Sequence, residues 1–400
     1  MNKEFFTHNR QALVDVPNDV QIDAWVFAGN ILVQRSNDAS YAFEQEANFW
    51  YLTGIDTAGW QLIIQKERSL LVAPDVDEIH RTFDGSLSND EAKETSGVDE
   101  VLSFQEGIQL MKNLKTFTAK VGTLGEDPRK EHYDFALNPG PVNMLNELQE
   151  LFGEVNDCRK TLATLRAIKS PDEIDLIRSA IMITTEAFEL VRNSIHHYAF
   201  EYEIEADFSS YFRKRGAHGH AYDPIVAAGK NAVTLHYTKN SDPLVPGALV
   251  LIDIGVRYKG YAADITRTYG HGEVSERYRA VHLAVEIAHH KIIDLLEPGL
   301  NVKAYFDKVD QIMLAALNDL GLLKNKDDYR KYFPHSISHG LGIDVHDSLG
   351  GPDEFKPGMV LTVEPGIYIP EEGIGVRIED DILITLTGHE NLSDRLPTSL

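Results

Sequence analysis

Asp253 and Asp264 sit inside LVLIDIG and YAADITRT, runs whose apolar and β-branched residues read as strands. Burying a carboxylate in such a run is costly unless something compensates its charge. A hairpin turn centred on Tyr258-Lys259 pairs Asp253 directly with Asp264; a turn shifted by one residue onto Gly260 keeps them close without direct pairing. Directly opposed Cβ atoms are about 4.5–5.5 Å apart, where like charges repel. A divalent cation between them reverses that sign. Glu364 ends the MVLTV run just before Pro365-Gly366, and Glu379 lies in VRIEDDILI on the same face as Arg377 by two-residue alternation. HSISHGLGIDVHD supplies His335, His339 and His346, and its Gly340 and Gly342 disfavour a helix and permit sharp turns. The charges of Asp253, Asp264, Glu364 and Glu379 balance two divalent cations, and His339 adds an imidazole. The expected chemistry is two-metal hydrolysis, in which a water bridging the cations is acidified into a nucleophile.

These residues need a framework. Ser170, followed by Pro171, Asp172 and Glu173, fits a capping box, so a long helix starts there with Ile174, Ile177, Ile181 and Phe188 as its buried stripe. Further helices are expected near 201–215, 275–296 and 302–320, with Pro298-Gly299 ending the one over 275–296. They alternate with strand-like blocks at 248–270, 359–370 and 373–385, whose short connections imply antiparallel pairing. The expectation is an α+β catalytic domain, residues 161–400, with helices on one face of an antiparallel sheet and the other face open. A smaller α/β domain, residues 1–160, precedes it, with strands at AWVFAG and WQLIIQ and turn chemistry at LNPGPVN.

Composition narrows the partners. With 62 acidic against 38 basic residues the long-range field repels nucleic acid and anionic lipid, and no apolar run reaches the length of a membrane span. The single cysteine, Cys158, excludes an internal disulfide and a thiolate zinc cluster, so a cytoplasmic location is the default expectation. No signal-peptide core is visible in MNKEFFTHNR, and the mature chain is expected to start near Met1. Gly229-Lys230 lacks the remainder of a phosphate loop, and neither H-E-x-x-H nor G-x-S-x-G occurs. His289-His290 reads as the surface of an amphipathic helix, and Asp380 and Asp381 as strand-end groups or supports behind the ligands.

At LIDIG, YAADITRT, SHGLGIDVHD, VLTVEPGIYI and GVRIEDD the chain resembles the pita-bread metallopeptidases, in their proline-specific branch of aminopeptidase P and prolidase. FEQEANFWYLTGID at 43–56 resembles the domain that precedes the catalytic one in bacterial aminopeptidase P. The resemblance implies that Asp253 binds one metal in bidentate fashion, that Asp264 and Glu379 bridge both, and that His339 and Glu364 complete the other. It implies manganese, with cobalt, iron or zinc as alternatives. His236, in TLHYT, and His346 are placed near the substrate or the transition-state oxygens, with His335 nearby, and Arg377 orients Glu379 or touches substrate. The implied substrates are peptides with proline in second position, and the implied assembly is a homodimer or homotetramer. The segment TFDGSLS at 82–88 departs from the Trp-rich stretch of many relatives. Competing readings are a prolidase restricted to dipeptides and a non-catalytic binding protein that keeps the fold without its metals. The second fits poorly with a complete set of five ligands.

Overall fold

The computed structural model describes residues 1–400 apart from 18–20, 118, 131–133, 135 and 326. The chain forms two compact units, Met1–Leu165 and Arg166–Leu400. The first is built on a six-stranded mixed sheet. Its central strands, Ala24–Ala28 and Gln61–Gln65, pair antiparallel in the register Ala24↔Gln65, and they are the two apolar runs that the sequence marks. The LNPGPVN segment is less a turn than a helix start: Asn138 caps the helix Pro139–Phe152, with proline tolerated where no N–H is needed.

The second unit opens with the helix Pro171–Ser194, held by the capping box at Ser170: the Glu173 carboxylate accepts from Ser170 N at 2.8 Å, and Glu173 N donates to Ser170 Oγ at 3.4 Å. Ile177, Ile181 and Phe188 are buried and Ile174 half-buried, as the 3.6-residue period requires. The helices Glu201–Lys214, Glu276–Ile293 and Val302–Asp319 follow. Short antiparallel ladders lie between and after them.

Alternation along the late strands divides two faces. Ile367, Ile369, Ile374, Val376, Ile378, Ile382 and Ile384 join Val285, Ile292, Val309 and Met313 of the last two long helices in one core. Residues of the other parity, Tyr368, Arg377 and Glu379, stand on the opposite face. No helix among the described residues is long and apolar enough to cross a membrane.

Candidate metal centre

The strand Leu249–Asp253 pairs with Thr266–Gly270, and Asp253 faces Thr266 rather than Asp264. The direct pairing expected from a turn on Tyr258-Lys259 does not form. The turn lies on Lys259-Gly260, with φ of 49° and 90°, and Tyr258 pairs with Tyr261. Two consecutive positive φ angles define the hairpin turn whose twist suits the flanking strands, and glycine takes the second at no steric cost. In this register Asp264 falls opposite Gly255, so the two aspartates are diagonal neighbours on one face. Gly255 is required there, since a Cβ would overlap the Ala263 carbonyl.

The remaining donors arrive on separate elements. Glu364 follows the strand Val360–Val363, and Glu379 lies between Ile374–Arg377 and Asp380–Ile384, where it bridges to Thr266. VRIEDDILI is therefore two strands in two ladders, with the glutamate at the break. His339 is set by its loop: its N–H donates to Thr362 Oγ1 at 3.2 Å, and Thr362 N donates to the His339 carbonyl at 2.9 Å.

Single donor atoms from Asp253, Asp264 and Glu379 lie within 4.8 Å of one another, as do those of His339, Glu364 and Glu379, and those of Asp264, His339 and His346. His339 Nε2 stands 3.4 Å from Asp264 Oδ2 and 3.6 Å from Glu364 Oε1. Its Nδ1 is 3.0 Å from the Gly340 carbonyl, which can only accept, so Nδ1 carries the proton and Nε2 is the atom offered to the cluster. All five expected ligands converge.

The electrostatics describe a site short of positive charge. Burial, with the charges of Asp264, Glu364 and Asp253, raises Glu379 well above the carboxylate range. Burial raises Asp264 and pushes Glu364 up to about 7. Burial alone would lower His339, but its contact with Asp264 and the charge of Glu364 outweigh that and push it up to about 9. Protons are thus retained where cations would displace them. Tyr222 Oη is 2.6 Å from both Asp253 Oδ1 and Asp264 Oδ1. One phenolic proton cannot serve both contacts, so the second needs a proton on Asp264, in keeping with its raised pKa. Oxygen donors, one correctly oriented imidazole and carboxylates that keep protons in the absence of a counter-charge fit a pair of divalent cations.

Arg377 does not contact Glu379 directly. Its Nη2 donates to Asp253 Oδ2, its Nη1 to Tyr368 Oη at 2.8 Å, and its Nε to Thr266 Oγ1 at 3.2 Å, while Thr266 Oγ1 donates to Glu379 Oε2 at 2.6 Å. His335 stacks edge-on to Tyr368; its Nε2 is 3.0 Å from Tyr368 Oη, and its Nδ1 is 3.4 Å from Glu364 Oε2. His346 stacks on His339 with ring centroids 4.0 Å apart. Burial, together with the charges of Arg377 and His339 respectively, brings His335 and His346 down to about 4. His236 is exposed and is an electrostatic neighbour of both His335 and His346, which places it on their side.

Sequence reasoning passed over Tyr222, Thr266 and Tyr368. Two-residue alternation from Asp264 and from Glu364 reaches Thr266 and Tyr368. No spacing marks Tyr222. His289 is a correction: it is fully buried, not a surface residue, and its Nε2 lies 3.4 Å from Asp380 Oδ2. The helix turns this position toward the sheet, while His290 is exposed. Asp381 supports Asp264 from behind, accepting its backbone N–H at 3.1 Å.

The model for metallopeptidase family M24 matches residues 175–386, and that for the aminopeptidase P N-terminal domain matches residues 6–121. The chain is 37% identical over 398 residues to the Xaa-Pro aminopeptidase of Haemophilus influenzae, covering 92% of this chain and 89% of that protein. Among solved structures, E. coli aminopeptidase P with the inhibitor Pro-Leu superposes with a TM-score of 0.85 at 33% identity, covering 100% of this chain and 96% of that one. Zn-substituted E. coli aminopeptidase P in complex with product gives a TM-score of 0.85 at 32% identity, with the same coverage.

Proposed function

This chain belongs to metallopeptidase family M24, and from that premise we propose that it removes an N-terminal residue from peptides with proline in second position. The observation that carries the reading is the convergence of Asp253, Asp264, His339, Glu364 and Glu379 in a pita-bread catalytic unit that follows an aminopeptidase P N-terminal domain. The α+β architecture expected from the sequence is the one its structural relatives share.

We assign Asp253 to one cation, Asp264 and Glu379 to both, and His339 and Glu364 to the other. Divalent cations held there supply an acidified water and a positive field for the developing oxyanion. Manganese suits a donor set of carboxylates with one imidazole and no thiolate. We assign Glu364 the transfer of a proton to the leaving nitrogen, which must gain one as the C–N bond breaks, and a prolyl nitrogen carries no N–H, so the site accepts a tertiary amide. His236 and His346 face the substrate side, and both can donate to the carbonyl oxygen as charge develops. Arg377 holds Asp253 directly and Glu379 through Thr266, and it fixes Tyr368, on which His335 rests. We also read the protein as a cytoplasmic homodimer or homotetramer; light scattering checks the assembly.

The test is hydrolysis of an Xaa-Pro peptide series by manganese-reconstituted protein. Release of the first residue from Xaa-Pro-Yaa and longer peptides is expected, with slow cleavage when alanine replaces proline. The comparison belongs in kcat/KM, where discrimination is expressed. Cleavage confined to Xaa-Pro dipeptides would make it a prolidase, and a reconstituted protein inert on both would support the binding role.

A further inference from the structure

The segment Ala228–Asp242 carries His236, and beyond the strand Ile225–Ala228 that ends at its first residue, its regular structure is limited to the short 3₁₀ turn Gly229–Val233. Something else must hold it. Glu201, the first residue of the helix Glu201–Lys214, has 0% exposure, and its carboxylate faces four donors from that segment. Oε1 accepts from Ala228 N at 2.8 Å and Asn231 Nδ2 at 3.0 Å, and Oε2 accepts from Tyr237 Oη at 2.9 Å and Asp242 N at 2.8 Å. The anchors fall at both ends of the segment and on the residue next to His236.

The residue type follows from this geometry. A carboxylate accepts at both oxygens and donates at neither, so four converging donors match it, and they offset the cost of burying it. Glutamine would aim an amide N–H₂ at two of those donors. The local alternation completes the device: Leu235 and Tyr237 pack against the cluster that contains Tyr368, and His236 between them is exposed. On the far side Gly375 lies so close that a Cβ would overlap the Ala232 carbonyl. The segment is wedged between the helix and the strand Ile374–Arg377, and Arg377 ends that strand.

We infer that Glu201 is a positioning residue for His236, setting the height and direction at which its imidazole meets the peptide carbonyl. The inference rests on the reading of His236 as a substrate-side group. Misplacement of such a group by about 1 Å costs up to about a hundredfold in rate.

A double-mutant cycle tests it on the manganese-loaded enzyme with an Xaa-Pro-Yaa peptide, using Glu201→Gln, His236→Ala and the combination, with metal content and thermal midpoint measured for each. Glu201→Gln is expected to lower kcat about tenfold to a hundredfold with metal content unchanged, and to have less than about a twofold effect once His236 is alanine. A purely structural role predicts the same fold-loss in both backgrounds, and that result overturns the inference. So does wild-type kcat in Glu201→Gln when His236→Ala is impaired. Wild-type kcat in His236→Ala instead removes the reading beneath it. Tyr237→Phe deletes one of the four donors and strands no buried N–H; it carries the same cycle, with a smaller loss, if Glu201→Gln fails to fold.

Discussion

Glu379 and Asp380 are consecutive and both buried, yet their environments are opposites. Glu379 shares its face with Asp253, Asp264 and Glu364, and it holds its proton well above the usual range. Asp380 faces the helix side, where Arg267 Nη2 donates at 2.6 Å, Asn391 Nδ2 at 2.7 Å and Ser393 Oγ at 2.8 Å. Burial alone would raise Asp380, but the charges of Arg267 and His289 outweigh it and hold the carboxyl well below its ordinary value. Arg267 is itself fully buried, and Nη1 also donates to the Thr266 and Glu379 carbonyls at 2.9 and 2.7 Å. A carboxylate buried for structure comes with its own cation. A cluster buried with too little positive charge is built to receive cations from outside.

The sharpest way to break that contrast is Glu364→Gln, which should lower turnover by about 10²–10⁴-fold with a smaller effect on the fold. Near wild-type turnover at full metal occupancy would show that Glu364 has been misassigned.

Next in size is stability. Asp380→Asn leaves Arg267 buried without its partner and should cost about 3–5 kcal/mol in urea unfolding. Glu379→Gln in chelator-treated protein puts a neutral amide where the carboxyl already keeps its proton, and should be neutral or stabilising. Equal losses in the two variants would erase the distinction.

Cation loading at about 100 times Kd should add about 2.7 kcal/mol of stability, and that gain should grow with pH. In metal-free protein Glu364 rises from 4.5 to about 7 and His339 from 6.5 to about 9. Each binds its proton more tightly folded than unfolded. The stability each contributes is therefore complete below the unfolded value and lost as pH rises through the folded one. Thermal scans of metal-free protein should show midpoints falling across that window, and loaded protein should resist the fall. A gap between the two that narrows with pH would contradict this sign.

The smallest effect comes from the compensated side. His289 is brought down from 6.5 to about 4 by burial, so its contribution is present above 6.5 and lost as pH falls through about 4. His289→Leu should change stability at neutral pH by less than about 1.5 kcal/mol and flatten the acid limb. An unchanged acid limb would remove His289 from the account.

Much of this was legible early because buried carboxylates violate local patterning. Asp253 and Asp264 stand out inside apolar strands, and Gly340 and Gly342 within the histidine loop mark a backbone that must turn. The capping box at Ser170 is equally local, needing only residues three apart. The hairpin register was harder, since Tyr258-Lys259 and Lys259-Gly260 are one residue apart and only φ angles choose between them. Tyr222 gave no signal because nothing in its own neighbourhood depends on the two aspartates it touches.

The sequence by itself determined the inventory of carboxylates and histidines that meet at the site, the long helices and the antiparallel strands, since each is written in side-chain type and period. Only the tertiary structure decided that Asp264 falls opposite Gly255, that Arg377 grips Asp253 and reaches Glu379 through Thr266, and that His289 points inward to Asp380. Local periodicity is set within a few residues of chain. Which buried charge meets which partner is set by packing between segments far apart in the chain, such as those of Asp253 and Arg377, which lie 124 residues apart.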